Sequence, residues 1–170
     1  MMFLTQDREQ TLYQALMKAR HVNGDNEIIV EDIEHKPMRF KKLVRGSIVL
    51  GRKFSGFTEK SENVGFMLPN SCGAMAAFFG LQGFGRVPAM LNYSSGPQSI
   101  LAACHAAQIK TVISSRRFIE FGRLTKLVEE MESQVKIVYL EDIRDQIGVL
   151  DKVRGFYSPW TAEYTHKAQG

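Results

Sequence analysis

The sequence is poor in the residues that staple a chain or carry it through a membrane. It has two cysteines, five prolines and one tryptophan in 170 residues. Two cysteines cannot build the disulfide framework of a small secreted scaffold, and the proline and glycine contents are far below those of collagen-like or disordered chains. Cys72 and Cys104 lie in small-residue, helix-like surroundings without a Cys or His partner at metal spacing. Both read as buried small hydrophobes in a reducing, cytoplasmic setting rather than as ligands or reactive thiols. No stretch of about 18 uninterrupted apolar residues occurs, so no spanning helix is expected. The first residues, 1–8, lack the basic segment followed by a long apolar one that a signal peptide requires.

Charge of one sign is scarce as well. Twenty-two Lys and Arg against 18 Asp and Glu leave a formal net charge of +4, and no basic stripe with interleaved aromatics supports a nucleic-acid partner. The four histidines, His21, His35, His105 and His166, are scattered, with no H-x-x-x-x-D or H-E-x-x-H spacing and no G-x-S-x-G elbow. Taken alone, the residues contain no catalytic constellation and no metal set.

What is present is a core and an alternation. Hydrophobic residues make up 44% of the chain and charged ones 24%, the profile of a globular domain that buries roughly 70% of its extended surface on folding. Residues 63–68 read as a buried strand ending at Pro69, and Asn70-Ser71 caps a small-residue helix to about residue 84. Residues 86–91 form the next strand, with Pro88 marking a sheet edge or bulge. Gly96-Pro97 opens a helix to residue 107. Residues 110–113 are a third strand, 117–131 a helix capped by Ser114-Ser115, and 136–140 a fourth strand. Such a series calls for a mostly parallel sheet with right-handed crossovers and helices on its faces, a Rossmann-like α/β layer structure.

The N-terminal third is of another kind. Residues 11–21 read as a helix with Leu12, Ala15, Leu16 and Ala19 inside, and 27–33 as a strand. His35-Lys36-Pro37 makes a turn into a second strand or directly into a helix, and residues 39–54 have a helical pattern with Phe40, Leu43, Val44, Ser47 and Leu50 inside. Its basic residues, Arg39, Lys41, Lys42, Arg45, Arg52 and Lys53, read as a solvated face or as a membrane-surface helix, the latter without the Trp and broad apolar face it needs. Residues 155–170 have no period and read as an exposed linker after an ordered part of 1–154.

Three loops invite a functional reading. Gly80, Gly83 and Gly85 run from a helix into a strand, the wrong polarity for a dinucleotide cradle, so helix termination and close packing explain them. Residues 92–97 have the right polarity but no following lysine, leaving a phosphate loop and a simple capping turn as alternatives. Ser115 and Arg116 stand at the carboxyl end of a strand, where a helix start and a guanidinium fork could hold an anion, or merely cap a helix.

Residues 64–71 (VGFMLPNS), then Phe79-Gly80, then residues 85–93 (GRVPAMLNY), resemble the first conserved blocks of the adenylate-forming (AMP-binding) enzymes: acyl-CoA and acyl-carrier-protein synthetases, peptide-synthetase adenylation domains and luciferases. Residues 107–116, Phe118-Ile119 and 138–142 are similar to the synthetase half of the bacterial bifunctional acyl-(acyl carrier protein) synthetases and 2-acylglycerophosphoethanolamine acyltransferases. Residues 11–16 resemble the start of that half. The resemblance runs over about residues 10–155. It implies a ligase that activates a fatty acid with ATP and Mg²⁺ and transfers the acyl group to an acyl carrier protein or CoA, in the bifunctional proteins at the cytoplasmic face of the inner membrane.

The family's phosphate loop, ending in Pro-Lys-Gly, is expected after the linker and does not occur before Gly170; nor do the adenine and ribose motifs, the C-terminal catalytic lysine or the acyltransferase H-x-x-x-x-D motif. The resemblance therefore implies an N-terminal portion, inactive alone, with no cofactor of its own. Its partners would be the remainder of the synthetase chain or, through the face that chain would cover, a second copy. Asn92 and Tyr93 are its candidate cleft-wall residues, and no catalytic residue is expected. A stand-alone α/β binding or interaction module is the alternative.

Overall fold

The computed structural model describes residues 10–32 and 35–148; the linker expected at 155–170 and the boundary at 154 lie outside the described residues. The chain begins with helix α1 (Leu12–Asn23), where Thr11 and Gln14 form a reciprocal capping box. Strands β1 (Ile28–Glu31) and β2 (Pro37–Arg39) form an antiparallel hairpin, and α2 (Phe40–Ser55) follows without a break. Alternation then sets in: β3 (Asn63–Phe66), α3 (Cys72–Gly83), β4 (Val87–Met90), α4 (Pro97–Ala106), β5 (Thr111–Ser114), α5 (Arg116–Phe121), α6 (Thr125–Met131), β6 (Lys136–Tyr139) and α7 (Leu140–Asp145). Among the described residues, no helix is long and apolar enough to cross a membrane.

The four later strands pair in parallel in the order β4-β3-β5-β6. The chain moves outward from β3 to β4, then crosses back over β3 to reach β5. Right-handed crossovers therefore place α3 on one face and α4, α5 and α6 on the other. The side chains follow the two-residue period of a strand: Val64, Phe66 and Ile113 join Ala74, Ala77 and Leu81 on the α3 face, while Val112 joins Ile100, Leu127 and Met131 on the opposite face. Pro88 sits on edge strand β4, where a missing N–H costs nothing.

A second helix layer lies over the α3 face. The backbones of α2 and α3 touch at a glycine pair: a Cβ on Gly80 would stand 2.8 Å from the Ser47 carbonyl, and one on Gly51 would stand 2.6 Å from the Gly80 carbonyl. Close packing, not phosphate binding, is what Gly80 serves. Phe40, Leu43, Val44, Ile48, Tyr13, Leu16 and Met17 fill the space between α1, the hairpin, α2 and α3. Both cysteines are buried, and burial pushes both thiols up.

Several sequence expectations need correction. In α1, Leu16 and Ala19 lie on the inner face as expected, but Leu12 and Ala15 are exposed and Tyr13 and Met17 face inward, so that the helix packs mainly through its large side chains. The helix expected over 117–131 is two helices, broken where Gly122 is followed by Arg123 in a left-handed backbone conformation (φ 53°). Arg39 belongs to β2, not to the helix beside it. The short α7 was not expected at all.

Candidate functional site

In a doubly wound sheet, ligands bind outside the carboxyl ends of the strands where the winding reverses. Here that point lies between β3 and β5. The loops leaving them are tied together, with the buried Ser114 Oγ donating to the Met67 carbonyl at 2.8 Å and the Met67 N–H to the Ile113 carbonyl at 3.0 Å. The loop after β4 is held alongside by the Leu91 N–H on the Phe66 carbonyl at 3.1 Å.

On the α3 side of this edge lies a cleft of about 430 Å³. Phe66, Leu68, Met75, Phe78, Phe79 and Met90 supply its apolar walls, and Glu31, Asp32, Asn70 and Ser71 its polar groups. Phe78 is the hinge of the wall, edge-to-face with Phe66 at 6.1 Å and with Phe79 at 5.5 Å. Size, apolar lining and few polar groups match a small-molecule site.

On the other side lies a compact polar network. Ser115 caps α5 by accepting from the Phe118 N–H at 3.3 Å, and its hydroxyl donates to Glu141 Oε1 at 2.8 Å. The Arg116 guanidinium forks onto Asp142 at 2.5 and 2.8 Å and lies 4.2 Å from the Tyr139 ring centroid. Burial pushes the Glu141 carboxyl up, but hydrogen bonds from Ser115 and from the backbone N–H groups of Glu141, Arg116 and Arg117 outweigh it, and its pKa lies below the ordinary value. Arg116 likewise lowers Asp142, and Asp142 raises Arg116. The Tyr139 phenol is pushed up by burial and by Glu132.

Of the four residues singled out in the sequence, Ser115 and Arg116 fall in this network. Asn92 and Tyr93 lie in the loop after β4. The Asn92 side-chain oxygen accepts from the Ser94 N–H at 3.2 Å and the Ser94 hydroxyl at 2.7 Å, so its polar capacity is spent on its own turn. Tyr93 stacks edge-to-face on Phe118 at 5.0 Å, which brings it to the helix that Ser115 caps. All four therefore share one edge of the sheet, on the α5 side, while none lines the apolar cleft. Glu141, Asp142 and the aromatic wall are what sequence reasoning missed. Adjacent acids directly after a strand were the available signal for the first two; the phenylalanines read only as core.

Chemically the edge can bind and orient. Ser115 meets a carboxylate held in its charged, weakly basic form, which does not make a nucleophile and general base. The groups present do not fit a triphosphate or its magnesium: the Arg116 fork is matched by Asp142, the 92–96 loop is turned on itself, and no metal-holding acidic or histidine cluster occurs among the described residues.

No protein-family model matches the chain. Among solved structures, it is similar to the N-terminal domain of FACL13 from Mycobacterium tuberculosis (TM-score 0.68, 13% identity, 81% of this chain and 36% of that one). It is also similar to VinN (TM-score 0.66, 15% identity, 95% and 37%) and to the O-succinylbenzoate coenzyme A synthetase MenE from Bacillus subtilis in complex with AMP (TM-score 0.66, 13% identity, 78% and 33%). At these identities the likeness is one of fold. The chain spans about a third of the length of these chains.

Proposed function

We propose that this chain is the N-terminal layer of an adenylate-forming, acyl-activating ligase and that it contributes one wall of the substrate cleft without catalysing the reaction alone. The supporting observation is the reversal of winding between β3 and β5, found in a fold that matches the N-terminal domain of FACL13 and part of an O-succinylbenzoate coenzyme A synthetase in complex with AMP. The reaction would join a fatty acid to ATP as an acyl-adenylate with release of pyrophosphate. A carrier-protein or CoA thiol would then displace AMP in a cytoplasmic setting. The resemblance to acyl-carrier-protein synthetases favours the carrier thiol.

Acyl transfer through an adenylate needs charge stabilisation around the α-phosphorus as the carboxylate attacks. Further chain would supply the ATP and magnesium sites, while this portion would hold the switch point rigid through Ser114 and offer the aromatic wall of the cleft. Fatty-acid-dependent ATP–pyrophosphate exchange is the test, run on the 170-residue chain and on the product of its complete reading frame. Exchange by the longer product only is expected. Exchange by the 170-residue chain alone would overturn its assignment as non-catalytic. No exchange by a folded longer product, across short, medium and long fatty acids, would overturn the ligase reading in favour of a binding module.

A further inference from the structure

Between α2, the start of α3 and α7 lies a groove of about 580 Å³. One ridge is a face of α2, where Lys42, Arg45 and Val49 stand three and four residues apart. The other is α7 and the turn after it, where Leu140, Arg144 and Ile147 repeat that spacing. Val49, Leu50, Leu140 and Ile147 form an apolar floor, each of them only partly buried. Charge does not select what covers it. Lys42 and Arg45 stand on one ridge, but Arg45 also acts on Asp25, and α7 carries Glu141, Asp142 and Asp145 beside Arg144.

What selects the occupant is the path of the chain out of α7. The helix closes in a turn with the Ile147 N–H on the Arg144 carbonyl at 3.1 Å. The Lys53 ammonium donates to the Gln146 carbonyl at 3.0 Å and fastens this end to α2. Ile147 thus already lines the groove, with one described residue, Gly148, after it. The next eight residues are Val149-Leu150-Asp151-Lys152-Val153-Arg154-Gly155-Phe156. Their apolar positions, i, i+1, i+4 and i+7, gather Val149, Leu150, Val153 and Phe156 on one side of a helix and leave Asp151, Lys152 and Arg154 on the other. Eight helical residues measure about 12 Å, close to the roughly 10 Å that separates Lys42 from Val49 along α2.

We propose that residues 149–156 fold back into this groove, set Val149, Leu150, Val153 and Phe156 on its apolar floor, and so clamp α7 against α2. The apolar run at the other end of the chain, Met1-Met2-Phe3-Leu4, leads into α1, which contributes no residue to the described lining. The clamp bears on the carboxyl edge of the sheet. α7 has six residues and one fully packed side chain, Ile143, yet it presents Glu141 to Ser115 and Asp142 to Arg116. A helix this short is held by tertiary packing rather than by its own propensity. Filling the groove gives it a second packed face, and residues 149–156 become a positioning element for the candidate site. The inference stands apart from the ligase reading, since a binding module with this edge would need the same support.

The test is NMR on the 170-residue chain, with nuclear Overhauser effects reading contacts of Leu150, Val153 and Phe156 with Val49, Leu50 and Leu140. Contacts within one molecule are expected, and a sample mixing labelled with unlabelled chains separates them from contacts between copies. Leu150→Ser with Val153→Ser should abolish them, shift the Val49 and Leu140 methyl signals, and speed amide exchange from Ile143 to Gln146 at least about tenfold. An unaltered circular dichroism spectrum would establish that the variant folds, and the contacts in the unsubstituted chain decide the proposal in either case. Three results would each overturn it: no contact between the two sets of side chains, contacts only between copies, or a folded variant whose α7 exchange is unchanged.

Discussion

Arg86 stands at the amino end of the parallel sheet and Arg116 at its carboxyl end, and their surroundings are opposites. Arg86 is 7% exposed, and its guanidinium is spent on neutral oxygens: Nε on the Thr58 hydroxyl at 3.1 Å, Nη2 on the Thr58 carbonyl at 2.6 Å and Nη1 on the Phe84 carbonyl. Thr58 is itself buried and donates to the Phe54 carbonyl, so a charged side chain staples the ends of α2 and α3 to the start of β4. Arg116 is half-exposed and meets an exposed carboxylate. A buried cation with several acceptors organises a fold, while a solvent-screened pair contributes little to stability. The amino end is thus a closed joint and the carboxyl end an open edge.

Breaking the joint should have the largest effect. Arg86→Ala leaves buried oxygens of Thr58 and Phe84 without their donor and should cost about 3 kcal/mol in urea unfolding. That corresponds to a melting temperature roughly 6–12 °C lower. A loss no larger than that of a surface substitution would put the two ends on an equal footing.

Tyr13, packed on Gly83 at the same end, sharpens the comparison through pH. Burial pushes its phenol up to about 12, against some opposition from Arg20. A pKa raised above the unfolded value means the neutral ring's stabilisation is fully present below about pH 10 and is lost as the pH rises toward 12. Two units correspond to roughly 2.7 kcal/mol. Tyr13→Phe should abolish that alkaline loss while changing neutral stability much less, as read from urea midpoints across pH 8–12.

Ser114→Ala acts at the open edge but on a fully buried polar tie. It removes the donor to the Met67 carbonyl and should cost about 1 kcal/mol. The loops after β3 and β5 should loosen, visible as faster amide exchange at Met67 and Leu68.

Strands, crossovers and both serine caps were legible because each rests on local chemistry: a buried apolar run, a β-branched cluster, or a Ser three residues before a helical N–H. The joint at Arg86 was not, since Thr58 lies 28 positions away and no spacing rule connects them. Likewise Glu141 and Asp142 became part of the candidate site only because parallel pairing sets Ser114 opposite Tyr139 and so brings α7 beside α5. A six-residue helix such as α7 has too few turns to show a period. The break at Gly122-Arg123 hid for the opposite reason: residues on both sides continue the apolar pattern, and only the backbone reveals the turn.

The smallest effect is expected at Arg116, and it separates two carboxylates that look alike. Asp142 is held charged first by the Arg116 side chain, whereas Glu141 is held by the Ser115 hydroxyl and by backbone N–H groups that survive a side-chain truncation. Both have lowered folded pKa values, so each contributes stability that is present above the ordinary carboxylate range and is lost as the pH falls through the folded value. Arg116→Ala should therefore leave the melting temperature at pH 7 almost unchanged, return the Asp142 titration toward its ordinary midpoint and leave Glu141 low. Ser115→Ala should do the reverse, raising the Glu141 midpoint with Asp142 still low, and in addition cost about 1 kcal/mol for the lost helix cap. Carboxyl carbon shifts followed by NMR from pH 2 to 6 read both midpoints in each variant. If the two carboxylates moved together in either one, the edge would be a single coupled cluster, closer in kind to the joint at Arg86 than to an open rim.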